Sequence, residues 1–369
     1  MTYCKACVLP NTRPGIQIHD NGLCSGCTGH HQKLEVFDWP ARAQEFEKIV
    51  AWAKAQKKDY DCLIPVSGGK DSTWQVVKCL EHGLKVLAVT WRTPGRTALG
   101  QKNLDNLISL GVDHIDFTIN PEVERKFMLK ALERTGSTGV PMHMAIYSIP
   151  LRLAVQMDIP LVIWGESPHM EYGGTQEERQ ASALNLQKHG ILQGTNPLDW
   201  IGDGLTVEDM RVYRFPSDEE LDSRPFQSIF LGHYFNWDPE ESLRVASQNG
   251  FSSRAEGPRL GYYNYADIDC DFISVHHHFK WLKFGFTRLF DNLSLEIRNG
   301  RMSREKAVEI IRGRGEQRPH DDITRLCIFL KIPESRFIQI EESFRNHALW
   351  TRENDRWVIR NFLIQDWKW

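Results

Sequence analysis

The sequence predicts an α/β protein, a parallel sheet with helices on both faces, preceded by a small cysteine-rich module and followed by a mostly helical region. Three observations predict it. Between residues 62 and 164, short apolar runs without helical period alternate with segments whose apolar residues recur at helical spacing. The first apolar run ends in a glycine turn that opens directly into a helix. Two Cys-x-x-Cys pairs stand ahead of it, and beyond about residue 206 the alternation fades.

Composition bounds the reading. A chain of 369 residues, 41% apolar and 25% charged, has material for two domains and a sizeable core. A net charge of −3 argues against a nucleic-acid partner. No apolar leader and no run of membrane-span length is visible, so the expected compartment is the cytoplasm and no membrane partner is expected. In a reducing compartment, four of the eight cysteines falling in two CxxC pairs favours metal over cross-links.

In chain order, Cys4, Cys7, Cys24 and Cys27 come first, the two pairs separated by sixteen residues. Each pair forms a knuckle, and two knuckles close a four-thiolate tetrahedron suited to structural Zn²⁺, in preference to a redox dithiol or an iron–sulfur cluster. Residues 1–33 hold so few apolar side chains that folding needs the metal, which makes them a zinc ribbon, with Ile16–Ile18 alternating like a short strand. His30 and His31 read as solvated rather than as further ligands. An amphipathic helix over 41–57 links the ribbon to residues 62–66, a strand buried on both faces.

Ser67-Gly68-Gly69-Lys70-Asp71-Ser72 follows. The glycines allow a sharp turn, and a strand, a turn and a helix N-terminus aim several backbone amides at one point, an anion site suited to phosphate or pyrophosphate. Further strands are expected at 84–90, 113–118 and 160–164, with helices at 101–110, 123–134 and 142–157. Ligands of such sheets lie beyond the C-terminal strand ends. Those ends carry Ser67–Ser72, Thr90-Trp91-Arg92 and Gly165-Glu166, a set suited to ATP with Mg²⁺. The loop takes phosphates, the backbone at Thr90 reads adenine, and a carboxylate helps hold metal or substrate. Lys70 either neutralises phosphate or faces solvent, Asp71 either reaches Mg²⁺ or caps its helix, and Glu166 is the candidate general base. This places the nucleotide-binding domain at 34–205 and a substrate or partner region at 206–369.

The hexapeptide is not the GxxxxGK[ST] loop; it resembles the SGGxDS signature of the PP-loop ATP pyrophosphatases, with their adenine nucleotide alpha hydrolase-like fold. The order CxxC…CxxC, SGGKDS, WGESPHMEYGG (164–174), LGHYFNWDP (231–239), HHHFKWLKFGFTR (276–288) and EIRNGRMSREKAVEII (296–311) resembles the N-acetyl sugar amidotransferase family of surface-polysaccharide (LPS O-antigen) biosynthesis over nearly the whole chain. The resemblance implies adenylation of an acetamido oxygen, replacement of that oxygen by ammonia, and release of AMP and pyrophosphate. It implies an acetamido sugar substrate, nucleotide-linked, a separate glutaminase supplying ammonia, and a cyclase-like companion.

In the second half, Asp203–Asp222 carries seven acidic residues and reads as solvated surface, and a dense aromatic set over 226–265 reads mostly as core. Residues 279–318 hold ten Lys/Arg against five Asp/Glu, and Lys280, Lys283 and Arg288 are the candidate phosphate contacts of the substrate. In a strand the outer two of His276-His277-His278 would share a face, but no nearby carboxylate or cysteine pattern completes a metal site, so the run reads as structural or substrate-binding. Ser303 caps a helix over 304–312 closed by Gly313. Two rivals stand beside the amidotransferase reading, a PP-loop tRNA thiolase and a non-catalytic nucleotide-binding scaffold. Ligation of ammonia to a free carboxylate uses the same activated intermediate and is set aside only by the resemblance.

Overall fold

The computed structural model describes residues 1–167, 171, 182–184, 188, 191–315 and 318–369. Of the run 164–174, residues 168–170 and 172–174 lie outside the described ones. No helix among the described residues is long and apolar enough to cross a membrane.

Five parallel strands form one sheet in the order β3-β2-β1-β4-β5, with β1 Cys62–Pro65, β2 Val86–Trp91, β3 Asp113–Phe117, β4 Leu161–Trp164 and β5 Gln227–Phe230. Strand pleating sorts its residues onto two faces. Leu63, Leu87, Val89, Val162 and Trp164 enter one core with α5 (Pro121–Thr135) and α6 (Gly139–Gln156). Cys62, Ile64, Val86, Ala88, Leu161 and Ile163 enter the opposite core with α2 (Trp39–Ala55), α3 (Lys70–Glu81) and α4 (Ala98–Ile108). The helix ahead of α2, α1 (Ser25–Glu35), belongs to the cysteine module. The four strands read from the sequence are present, with ends displaced by a residue or two. The fifth comes from beyond residue 205, where a four-residue strand bounded by loops leaves too little alternation to detect.

After β5 and the five-residue helix α7 (Asp218–Asp222) that precedes it, the chain is helical: α8 Pro239–Gln248, α9 Ile273–Phe284, α10 Arg288–Arg298, α11 Arg304–Arg314, α12 His320–Leu330 and α13 Glu334–Ser343, then the antiparallel hairpin β6 Trp350–Glu353 and β7 Arg356–Ile359. The histidine run lies inside α9, not in a strand, because Val275, Phe279 and Leu282 supply a helical apolar stripe around it. Ser303 caps α11 as expected, its hydroxyl accepting from the Lys306 amide, but the helix continues through Gly313 to Arg314 and stops at Gly315. Ile16–Ile18 forms no strand; the local pairing is a single bridge between Ile18 and Cys24.

A third core joins the two ends of the chain. Val8, Leu9 and Ile16 pack with Phe279, Trp281, Phe290 and Ile311. Trp281 meets Trp350 edge-on at 5.1 Å and Phe362 at 5.7 Å, which gives the aromatic C-terminus its place.

Candidate functional site

The strand order reverses between β1 and β4, so the loops after these neighbours diverge to opposite faces and leave a crevice at their C-terminal ends. A cleft of about 460 Å³ occupies it, a volume within the range of small-ligand sites. Ser67, Asp71 and Ser72 from the glycine loop line it, with Thr90 and Trp91 from the end of β2 and Gly165 and Glu166 from the end of β4. The three polar clusters read from the sequence therefore meet.

The loop is built to hold an anion. Gly68 has φ +85°, and a Cβ there would lie 2.6 Å from the Leu104 backbone nitrogen, so glycine is required both by conformation and by the close approach of α4. Gly69 is the N-cap of α3 and supplies no capping side chain, leaving the first-turn amides for a ligand. The Ser72 and Thr73 hydroxyls donate to the Gly69 carbonyl at 3.0 and 3.1 Å and fix the turn from below. Thr90 Oγ1 donates to the Val66 carbonyl at 2.8 Å, so this hydroxyl locks β1 against β2 while the residue borders the cleft.

Lys70 is almost fully buried, with Nζ 2.6 Å from Asp71 Oδ1 and 5.2 and 5.6 Å from the Trp237 and Tyr265 rings. Lys70 is therefore buried between Trp237 and Tyr265 rather than facing solvent, and its ammonium is directed at Asp71. Trp237 Nε1 donates to the same Asp71 oxygen at 2.8 Å. Asp71 is thus oriented rather than used as a cap, and its carboxylate faces the cleft. Burial pushes the Glu166 carboxyl up to about 7, and the nearby Asp71 charge adds to the effect. Asp71, which borders the cleft beside the glycine loop, is the residue that would hold Mg²⁺, and the raised Glu166 carboxyl is the one suited to exchange a proton.

Several cleft residues escaped the sequence reading. Asp267, Asp269 and Cys270 line the wall facing the loop, with Arg96 and His143. Arg288 Nε donates to Asp267 at 2.9 Å and holds that carboxyl well below the usual range, whereas burial raises Asp269. The signal was present as Asp267 and Asp269 at alternate positions, the spacing that puts two acids on one face of an extended segment. Of the three candidate substrate cations, none borders this cleft. Lys280 lies 3.7 Å from Asp291, Lys283 donates to the Thr135 carbonyl at 2.9 Å, and Arg288 stands behind Asp267, which borders the cleft.

The N-terminal thiols converge as expected. The sulfurs of Cys4, Cys7, Cys24 and Cys27 lie within 4.8 Å of one another, all buried. Cys4–Cys27 and Cys7–Cys24 are separated by 3.9 and 3.7 Å. A tetrahedron with Zn–S arms of about 2.3 Å has edges of about 3.8 Å, so the donor set fits Zn²⁺. The amides of Cys7 and Cys27 point at the sulfurs of Cys4 and Cys24, at 3.5 and 3.4 Å, the bonds that shape a thiolate knuckle. The module is linked to the cleft through α1: Lys33 donates to Glu171 at 2.8 Å and to the Trp237 carbonyl at 2.7 Å, and Trp237 orients Asp71.

Residues 260–363 match the family described as LPS biosynthesis protein WbpG-like, C-terminal domain. This match supports the amidotransferase resemblance drawn from the motif order. Among solved structures, an NMN synthetase from Francisella tularensis matches at 16% identity over 58% of this chain and 93% of its own, with a TM-score of 0.27. No curated protein matches the chain.

Proposed function

We propose that the chain is an ATP-dependent enzyme of lipopolysaccharide biosynthesis that converts the acetamido group of a nucleotide-linked sugar into an acetamidino group. The observation that carries ATP use is the uncapped first turn of α3 behind Gly68-Gly69, opening on a cleft bordered by Asp71 and Glu166. The family match over 260–363 supports the polysaccharide context.

An amide carbonyl is a poor electrophile and its oxygen a poor leaving group. In the proposed reaction the acetamide oxygen attacks the α-phosphorus of ATP, the bond from that phosphorus to the bridging oxygen breaks, and pyrophosphate leaves. Ammonia adds to the imidate carbon, a proton is lost, and AMP departs with the former amide oxygen. The amides of the glycine loop and α3 stabilise the leaving pyrophosphate. Lys70 and Trp237 hold Asp71 in one orientation, and Glu166 takes the proton from the incoming nitrogen. Mg²⁺, when bound, neutralises phosphate charge. Ammonia is supplied by a separate glutaminase with a cyclase-like companion, and the ribbon is a structural Zn²⁺ module.

A thiolase would draw on Cys270, the one cysteine bordering the cleft among the described residues. Burial pushes its thiol up to about 12, and its sulfur shares a 2.9 Å hydrogen bond with Thr93, so it is not a poised nucleophile. Incubation with ATP, Mg²⁺, ammonium and a panel of nucleotide-linked acetamido sugars tests the proposal. Mass spectrometry is expected to show one sugar exchanging oxygen for NH, with AMP formed in equal amount. Nucleotide turnover without that exchange overturns it.

A further inference from the structure

Beside the nucleotide cleft lies a second, larger one of about 1060 Å³. A thin partition separates them. The extended segment 267–271 turns Asp267, Asp269 and Cys270 to the inner cleft and Ile268 and Asp271 to the outer one. A bridge between Arg96 and Cys270 and bonds from Asp271 N to Gly95 O (2.8 Å) and Thr97 N to Asp269 O (3.1 Å) hold it against the start of α4. Arg96 borders both clefts, and its guanidinium is fixed by two 2.7 Å bonds to Asp116.

The outer cleft is polar, and six cationic side chains against four carboxylates line it among the described residues. Arg259 is committed to Asp271 and Asp322, and Arg318 to Glu341. Three cations keep donors to offer. Lys102, exposed on α4, has no ion-pair or hydrogen-bond partner among the described residues. The Arg254 guanidinium pairs with Glu256 alone among the described residues, at 3.5 Å, while its main chain bonds Asn264. Arg325, half exposed, uses Nη1 alone on Asp322 and Asp271. The loop bearing Arg254 is pinned beside Lys102 by a reciprocal pair of 2.9 Å bonds between Asn103 and Ser252. These donors come from α4, the 252–256 loop and α12, three segments that border one cleft, and several separate cations suit a multiply charged anion such as a diphosphate.

We propose that the outer cleft binds the diphosphate of the second substrate through Lys102, Arg254 and Arg325, and that the sugar it carries passes the partition at Arg96 to present its acetamido group to ATP. The inference rests on the amidotransferase reading for the identity of that group, but not for the anion site itself. It also accounts for the candidate phosphate contacts on α9 being elsewhere: Lys280 and Lys283 are held by Asp291 and a main-chain carbonyl.

The test is equilibrium binding to the full-length chain of ATP, UDP-N-acetylglucosamine, a farnesyl-diphospho-N-acetylglucosamine and free N-acetylglucosamine, repeated with the double variant Lys102→Glu/Arg254→Glu. A diphospho-sugar is expected to bind where the free sugar does not, and the double variant to weaken it about 30-fold while ATP affinity and Tm hold. Preference between the UDP and farnesyl forms assigns the carrier. Equal binding by the double variant overturns the proposal, as does ATP binding with no diphospho-sugar bound. Diphospho-sugar binding without ATP binding sustains the anion site and overturns the proposed reaction instead. Lys102→Arg/Arg254→Lys restores binding if charge is what matters, and failure to restore it counts against the proposal.

Discussion

Glu166 and Asp71 share a cleft that no isolated carboxylate pair would occupy without consequence. Burial and the Asp71 charge raise Glu166 to about 7, so its ionised form, the one able to accept a proton, appears only near neutrality. With NH₃ held constant at each pH, kcat is expected to fall below about pH 7, and Glu166→Gln to lower it by roughly 10²-fold or more and abolish that limb, with ATP still bound. A second raised carboxyl, Glu124, lies beneath the cleft, where it accepts from Trp91 Nε1 at 2.8 Å, and burial pushes it to about 8. The folded state thus holds this proton more tightly than the unfolded chain, and the stability it contributes is lost as pH rises from the ordinary glutamate range through about 8. Glu124→Gln is expected to remove that fall and to unfold later than the parent at pH 9, by on the order of 2 kcal/mol in denaturant melts. That the hexapeptide and Glu166 border one cleft was legible, because each follows the C-terminal end of a sheet strand. Lys70 was not: its direction depends on Trp237 and Tyr265, more than 160 residues away in sequence, and no local pattern encodes that contact.

The glycine turn and α3 act as one element. Gly68→Ala would place a methyl group against the backbone of α4 while forcing φ +85° on an alanine. A loss of about 2 kcal/mol or more in unfolding free energy is expected, with ATP binding lost even where the variant folds. Gly69→Ala, at φ −69° and 3.2 Å from the Ser67 hydroxyl, is expected to be milder in thermal melts. Long elements with a clear period, such as α5 and α6, were readable to within a few residues. The fifth strand and the histidine helix were not, because four residues carry too little period and a triple histidine hides the apolar stripe of α9.

Across the whole molecule, the cysteine module is wired toward the cleft rather than appended to the fold. Its apolar residues share a core with α9 and α10, and the path Lys33–Trp237–Asp71 reaches the cleft. Purified chain is expected to hold one zinc per molecule, and stripping it with a chelator to lower Tm and ATP affinity together; a chelated chain that keeps both would break this link. The cysteine spacing announced the metal donors, but nothing in the sequence placed them against α9 and α10 or revealed the partition over 267–271, since both arise from contacts between distant segments. The most direct test of the account follows one atom: a sugar labelled with ¹⁸O in its acetamido carbonyl, supplied with ATP, Mg²⁺ and ammonium. The account predicts that the label appears in the phosphate of AMP while pyrophosphate stays unlabelled. Unlabelled AMP, or ADP with orthophosphate, would contradict it.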